Sequence, residues 1–337
     1  MKDYALKNYM AGTETYRKSF WDYARGNVQG EANLKEGLLN ETTGYVFPGL
    51  TESKCDSAIV KKSVMRGICS VHTLFGGIGT ILAAQSDDIV TFVAENGTIP
   101  VKDVADDFSK ITLGSYKLAS ILRLSNEFVR DASFNLESYL AKRIGRAFAG
   151  AEDKAFITGT GIGEPTGILH ATAGAETGVT ADTLTFDDIA DLYFSLDKQY
   201  RANAVWLMND TTAQALRKLK DEAGNYLWNH SNDTILGKKV MISEYMPDPD
   251  AGESPIVFGD FSYYWIVRRS PLSLKTLLEL YSRNDQIGYV VHEFLDGKLV
   301  RPEAVKTLKL NEAEEVSEGP EDEPAGEPEP EPEDPEE

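Results

Sequence analysis

Cysteine is almost missing from this sequence: Cys55 and Cys69 are the only two in 337 residues. No C-x-x-C spacing occurs, so neither a disulfide framework nor a thiolate metal site can be built from them. Histidine is nearly as scarce. His72, His170, His230 and His292 lie far apart, without H-x-x-x-H or H-E-x-x-H spacing, and each reads as a surface or satisfied core residue. No run approaches the roughly 18 apolar residues that a membrane span requires. The start, "MKDYALKNYMAGTETYRKSFWDYARG", is amphipathic and mixed in charge, without the apolar stretch of a secretory signal. The expectation is a reduced, cytosolic chain with no membrane partner.

Basic residues are missing from one region in particular. The formal charge is −20, but residues 311–337 hold fourteen Asp or Glu and no Lys or Arg, so the first 310 residues carry only −6. That end, "EGPEDEPAGEPEPEPEDPEE", repeats Pro with Glu and has almost no apolar side chains, so it cannot bury enough surface to offset its ordering entropy. It is expected to be a disordered, extended tail. A block of one sign solvates the protein or docks on a basic partner. A mildly acidic body without basic patches interleaved with aromatics also excludes a nucleic-acid groove.

Chemistry-bearing motifs are lacking too. The run "FITGTGIGEPTGIL", Phe156 to Leu169, invites comparison with a dinucleotide fingerprint, but Glu164 and Thr166 stand where the next glycine should fall. A strand should precede such a fingerprint. Here Leu136, Leu140, Ile144, Ala147, Phe148, Ala151 and Ala155 recur at helical spacing, so the glycines follow a helix and read as its C-terminal turns. Neither a Walker A loop nor a G-x-S-x-G elbow is present, since Lys238, Lys239 and Val240 follow Gly237. Arg268-Arg269 reads as a strand leaving the core, and Asp87-Asp88 and Asp106-Asp107 as solvated loops. No catalytic, cofactor-binding or metal-binding residue is assigned, which shifts weight toward a structural role.

What is present is a well-patterned mixed chain of helices and strands without a regular βαβ repeat, hence an α+β fold. Tyr16, Phe20 and Tyr23 share a helical spacing; from "TTGYVFPGL" the chain reads as extended. "TILAAQSDDIVTFVAENGTIPVKDVADDFSKITL" offers two β-rich arms around Asn96-Gly97. Arms of roughly 15 residues at about 3.3 Å each reach about 50 Å, whereas a compact body of this size has a radius of gyration near 19 Å, give or take, roughly. Unless it folds back, such a hairpin rests its apolar residues on a neighbour, which makes Ile89, Phe92, Val93, Ile99 and Val101 candidate inter-subunit contacts. Further on, Thr185-x-x-Asp188 is a capping pattern, "AVWLMN" a buried strand, and Asn209-Asp210 the start of another helix. "GKKVMIS" and "PIVFGDFSYYWIV" are further strands.

Four pieces in this order and spacing carry a resemblance: "SNEFVRDASFNLESYLAKRIGRAFAGAEDKAFITGTGIGEPTGIL", "WLMNDTTAQALRKLKDEAGNYLW", "LGKKVMISEYMP" and "IVFGDFSYYWIVRR". Over about Thr42 to Leu310 the chain resembles the major capsid proteins of tailed phages with the Hong Kong 97-type fold. The resemblance implies an N-terminal helical remnant (1–33), an N-terminal arm reaching neighbours (34–70) and a P-domain (71–80 and 114–164) with a spine helix from about Asn126 to Ile157. It also implies an E-loop (81–113), an A-domain (165–283), a return to the P-domain (284–310) and the tail (311–337). The implied function is non-catalytic: self-assembly, in the host bacterial cytoplasm, into pentamers and hexamers of an icosahedral virion shell around double-stranded DNA. Scaffolding protein, maturation protease and portal are the implied further partners, and no cofactor is. An encapsulin-like nanocompartment enclosing cargo enzymes is the alternative with the same fold. Where a cross-linking relative carries lysine, asparagine and glutamate, this chain has Ile99, Asp285 and His292, so covalent linkage of subunits is not expected. "TETYRKSFWDYARG" resembles the end of a scaffold segment; scaffolding is then either a separate protein or already trimmed away.

Overall fold

The computed structural model describes residues 10–36, 44–74, 79–84, 93, 108–131, 133–220, 224–226, 228 and 233–312. Helix α1 (Glu14–Ala24) starts where the Thr13 hydroxyl accepts the Tyr16 amide, and it buries the expected Tyr16, Phe20 and Tyr23. Helix α2 (Val28–Glu36) packs beside it, and a two-residue strand β1 (Tyr45–Val46) follows.

Helices α3 (Gly49–Lys62) and α4 (Met65–Ile68) correct the expected arm. Most of residues 49–68 is helical, not extended, and packs on this chain's own long helix. Thr51, Cys55 and Ile59 recur every four residues and form the buried stripe of α3, a pattern diluted in the sequence by polar neighbours.

Strands β2 (Ser70–Thr73), β3 (Gly79–Ala84), β4 (Phe108–Leu113) and β5 (Tyr116–Ser125) come next. The expected spine helix is two helices, α5 (Asn126–Arg130) and α6 (Leu136–Thr158). The break has local causes. The Asp131 carboxylate accepts both the amide and the hydroxyl of Ser133 at 2.8 Å, and the Asn135 side chain caps α6 by accepting the Ser138 amide at 3.0 Å. Arg25, at the end of α1, donates to the Val129 carbonyl at 2.6 Å and to that of Phe134 at 3.3 Å, satisfying oxygens that a continuous helix would have used.

The remainder alternates: β6 (Glu176–Ala181), α7 (Phe186–Ser195), α8 (Lys198–Arg201), β7 (Val205–Met208), α9 (Asp210–Lys218), β8 (Thr234–Ile235), β9 (Lys238–Ile242), β10 (Ile256–Gly259), β11 (Tyr264–Arg268), β12 (Ser273–Leu277), β13 (Gln286–Leu299) and β14 (Val305–Leu310). The capping box of Thr185 with Asp188 forms as the sequence suggests, and Asn209 caps α9 through the Thr212 amide at 2.7 Å.

Two six-stranded sheets result. In the first, β13 runs down the middle: one edge pairs with β5, and the other pairs first with β12 and then with β11. β1 extends this sheet beyond β12, and β2 joins β11 in parallel. The second has the order β6-β14-β10-β7-β9-β8. This redraws the expected domain boundaries. Residues 264–277 pair with the spine-side sheet, whereas 305–310 cross into the sheet of residues 176–259, because long-range pairing, not chain order, assigns each strand. β3 and β4 form a two-stranded sheet of their own with Gly79 opposite Leu113, a register symmetric about position 96, where the sequence places Asn96-Gly97.

There are two apolar cores, and α6 enters both. Leu136, Leu140, Ile144 and Phe148 pack with α1, β1, α3, β12 and the first half of β13. Phe156 and Ile157 pack with β11, the end of β13 and the second sheet, where Trp206 stacks on Phe258 at 4.0 Å. The expected apolar face of α6 needs one correction. Ala147 and Ala151 are exposed, and the stripe continues instead through Glu152 and Asp153, both buried.

The glycine run closes α6 as expected and then doubles back. Gly161 and Gly163 have φ of +75°, and the chain returns so that the Ile168 and Leu169 amides donate to the Phe156 and Ile157 carbonyls at 2.8 and 2.9 Å. A Cβ on Gly167 would sit 2.5 Å from the Ile157 carbonyl oxygen, whereas one on Gly163 would meet nothing. Gly167→Ala should therefore cost about 3 kcal/mol or more through backbone overlap, and Gly163→Ala about 1 kcal/mol through its dihedral alone. Urea unfolding of the two variants checks this, and equal losses would contradict it.

Candidate functional site

The chemistry of this chain is concentrated where its layers meet. Arg66, on α4, donates to both oxygens of Glu152 of α6, at 2.6 and 2.8 Å. Its Nη2 also lies 3.6 Å from Glu293 of β13, and the other Glu293 oxygen is 3.4 Å from Arg268 Nε of β11. Arg268 reaches outward to Glu52 at 3.2 Å and Asp56 at 2.9 Å, both on α3. Two guanidiniums thus serve four carboxylates from three elements. The bland reading of Arg268-Arg269 as a strand leaving the core is corrected: Arg268 is central to this cluster, and Arg269 is buried elsewhere.

Burial sets the protonation. Burial pushes the Glu293 carboxyl well above its ordinary range, the nearby Glu152 charge adds to that, and the guanidiniums of Arg66 and Arg268 oppose it only in part. Burial alone would depress Arg66, but Glu152 and Glu293 outweigh it and hold it raised. Glu52 is also raised, by burial against the pull of Arg268. Neither Glu293 oxygen has a hydrogen bond of good geometry, and a proton on Glu293 leaves two positive charges facing three negative ones instead of four. The direction for Glu293 is therefore upward, despite two arginines within 4 Å. Beside it, Asp153 accepts from the Ser63 hydroxyl at 2.5 Å and from the Val64 and Met65 amides, holding the start of α4 against α6.

A second constellation holds the root of the β3–β4 hairpin. Arg269 donates to the Leu113 and Gly114 carbonyls at 2.8 and 3.1 Å, and Asp296 accepts the Gly114 amide at 2.5 Å. Tyr116 donates to the Gly161 carbonyl at 2.8 Å, tying the same root to the glycine turn.

The arrangement offers no catalytic pair. Among the described residues no group of three or more His, Cys, Asp or Glu could hold a metal ion, and no helix is long and apolar enough to cross a membrane. A cavity of about 610 Å³ beside α9 is lined by Asp210, Arg217, Lys218, Trp228 and Asp233, and there Arg217 pairs with Asp233 at 2.6 Å and lies over the Trp228 ring. Large apolar side chains stand in water instead, with Ile162 86% exposed at the tip of the glycine turn and Phe194 and Leu280 67% exposed.

Residues 43–310 match the phage capsid family. The chain belongs to that family. A capsid polyprotein of Pseudomonas phage PAJU2 is 30% identical over 159 residues, 43% of this chain and 23% of the relative. A major capsid protein of Klebsiella oxytoca phage phiKO2 is 25% identical over 272 residues, 71% of this chain and 62% of the relative. The match thus spans about a quarter of the length of the first relative and just under two thirds of the second. Among solved structures, the capsid of a native GTA particle superimposes with a TM-score of 0.62 at 29% identity, covering 76% of this chain and 90% of that one. A chain of Gordonia phage Cozz, at 13% identity and a TM-score of 0.55, covering 75% of this chain and 87% of that one, shares the fold.

For a phage capsid family member the expected contact residues are the hairpin set. Val93 is 39% exposed, while Ile89, Phe92, Ile99 and Val101 lie outside the described residues. Of the positions aligned with a cross-linking site, Ile99 is also outside them. Asp285 is left-handed (φ +50°) and accepts from the Asn126 side chain at 2.6 Å, and His292 is buried on β13 with its pKa lowered by burial and by Lys117. Sequence reasoning missed Arg66, Glu152, Asp153 and Glu293. One signal was available: Glu152 falls midway between Phe148 and Phe156 on a single four-residue stripe, where only a paired charge can sit.

Two outcomes follow from this geometry. A carboxyl raised above its unfolded value, near 4.3 or roughly so, stabilises fully below that value and progressively less as pH rises toward its folded value. Relative to Glu293→Gln, the native chain should therefore lose up to about 1.4 kcal/mol per pH unit above pH ~5. Arg66→Met, which strands Glu152, should cost about 3–5 kcal/mol. Urea midpoints across pH check both; a pH-independent difference between native and Glu293→Gln chains would contradict the first. At the hairpin root, Arg269→Met should speed amide exchange of residues 108–114 by about tenfold or more, the loss of two charge-assisted bonds. Hydrogen-exchange mass spectrometry reads this directly, and unchanged protection would contradict it.

Proposed function

We propose that this chain is a non-catalytic major capsid protein that assembles into pentamers and hexamers of an icosahedral phage shell enclosing double-stranded DNA. The observation that carries the reading is the family match over residues 43–310, joined to a fold that superimposes on the capsid of a GTA particle over 90% of that chain. The architecture supports it physically. A two-stranded hairpin separate from both sheets, and apolar side chains such as Ile162, Phe194 and Leu280 left in water, are costly in a monomer and useful in a lattice of many modest contacts. Assembly in the host bacterial cytoplasm, with scaffolding protein, maturation protease and portal as partners, belongs to the same reading. The nanocompartment alternative gains no support from the named relatives, which are phage and GTA capsids.

Expressed with its neighbouring genes, the chain should form capsomers or closed shells visible by electron microscopy, containing nuclease-protected DNA. Particles filled with enzyme, or a chain that stays monomeric under those conditions, would overturn the reading. Ile162→Asp should leave the urea midpoint within about 0.5 kcal/mol of the native value, as expected for an exposed site, yet reduce particle yield. A variant that assembles normally removes Ile162 from the contact surface.

A further inference from the structure

Helix α3 and helix α6 together carry seven basic residues, Lys54, Lys61, Lys62, Lys142, Arg143, Arg146 and Lys154, and all seven are exposed. The same two helices carry five acids, and each is engaged by a partner. Glu52 and Asp56 face Arg268, Glu137 binds Arg17 and Lys54, Glu152 binds Arg66, and Asp153 caps α4. Among the described residues, Lys54 is the only one of the seven bases with a carboxylate within 4 Å. The result is a face of one sign on a body whose net charge is negative.

That face is grooved. Lys54, Lys61 and Lys142 line one shallow depression of about 400 Å³ together with the hydroxyls of Ser53, Ser57 and Ser138. Lys142 continues into a second, of about 520 Å³, with Arg143 and Arg146. Ammonium, guanidinium and hydroxyl groups are all donors to carboxylates, and Ala58, Ala141, Tyr139 and Ala147 complete the floors between them.

We infer that this basic face is the docking site for the chain's own acidic tail, residues 313–337. The tail supplies thirteen Asp or Glu, no Lys or Arg, and almost no apolar side chains, which is the complement of these grooves. Its point of departure repels it. Asn311 donates to Asp182, and the strand end lies beside Gly252 and Glu253, so Asp182, Asp250, Glu253 and Glu312 crowd the exit. Twenty-five extended residues reach about 80 Å, more than the breadth of the body. Tethering holds the tail at roughly millimolar effective concentration, so individually weak, screened ion pairs act together. A free polyanion has no such advantage. The inference does not depend on shell formation.

The test couples carboxylates to amines at zero length with carbodiimide on the purified full chain at low ionic strength. Mass spectrometry should find glutamates of 313–337 joined to Lys54, Lys61, Lys62, Lys142 or Lys154. The triple variant Lys142→Glu, Arg143→Glu, Arg146→Glu, or salt near 0.5 M, should lower that yield about tenfold, as screening of several pairs predicts. A full-length chain whose tail acids are changed to Gln or Asn should bind heparin more tightly than the native chain, because the face is then uncovered. Tail glutamates coupled elsewhere or not at all, or heparin retention indifferent to tail charge, overturns the proposal. So does protection of the lysines by double-stranded DNA alone, which makes nucleic acid the occupant.

Discussion

Two arginine side chains hold the layers of this molecule in register. Arg66 and Arg268 sit between α3, α4, α6, β11 and β13, and each bonds carboxylates from different elements, so no one of these elements can shift without stranding a buried charge. Such a cluster is expensive to desolvate and contributes little net stability. Its geometric demand is what matters here. The cluster lies where α6 leaves one apolar core and enters the other.

The same economy appears at the hairpin root. Arg269 follows Arg268 in sequence but faces the other side of β11, because alternate residues of a strand point to opposite faces. One arginine therefore binds α3 while its neighbour grips Leu113 and Gly114, at the root of the separate two-stranded sheet. Tyr116 and Asp296 add the glycine turn and β13 to that grip. The root of the two-stranded sheet is thus held by Arg269, by Asp296 and by the glycine turn together.

Local signals in the sequence were legible where they rest on a few neighbouring residues. The stripe of Tyr16, Phe20 and Tyr23, the capping box of Thr185 and Asp188, the cap at Asn209 and the turn of "FITGTGIGEPTGIL" all formed as read. The continuity of the spine helix was not legible. Asp131 and Ser133 can sit in a helix at modest cost, and only their mutual hydrogen bonds, with Arg25 arriving from α1, tip the balance toward a break. Helix α3 was hidden because just three of its residues are buried, too few to outweigh the polar positions between them.

The ordered motifs of residues 42–310 sufficed for the resemblance to the family and for the α+β class, and the turns and caps among them formed because their own residues impose that geometry. What only the tertiary structure decided was partnership across long separations. Glu152 and Glu293 read as ordinary charges until the fold places Arg66 between them, 86 residues from the first and 227 from the second. β14 reads as the end of one domain until it pairs with β6 and β10 of the other sheet. Side-chain type and spacing fix which local shape a segment adopts, but burial and register depend on segments hundreds of residues away, and these are set only when the whole chain closes.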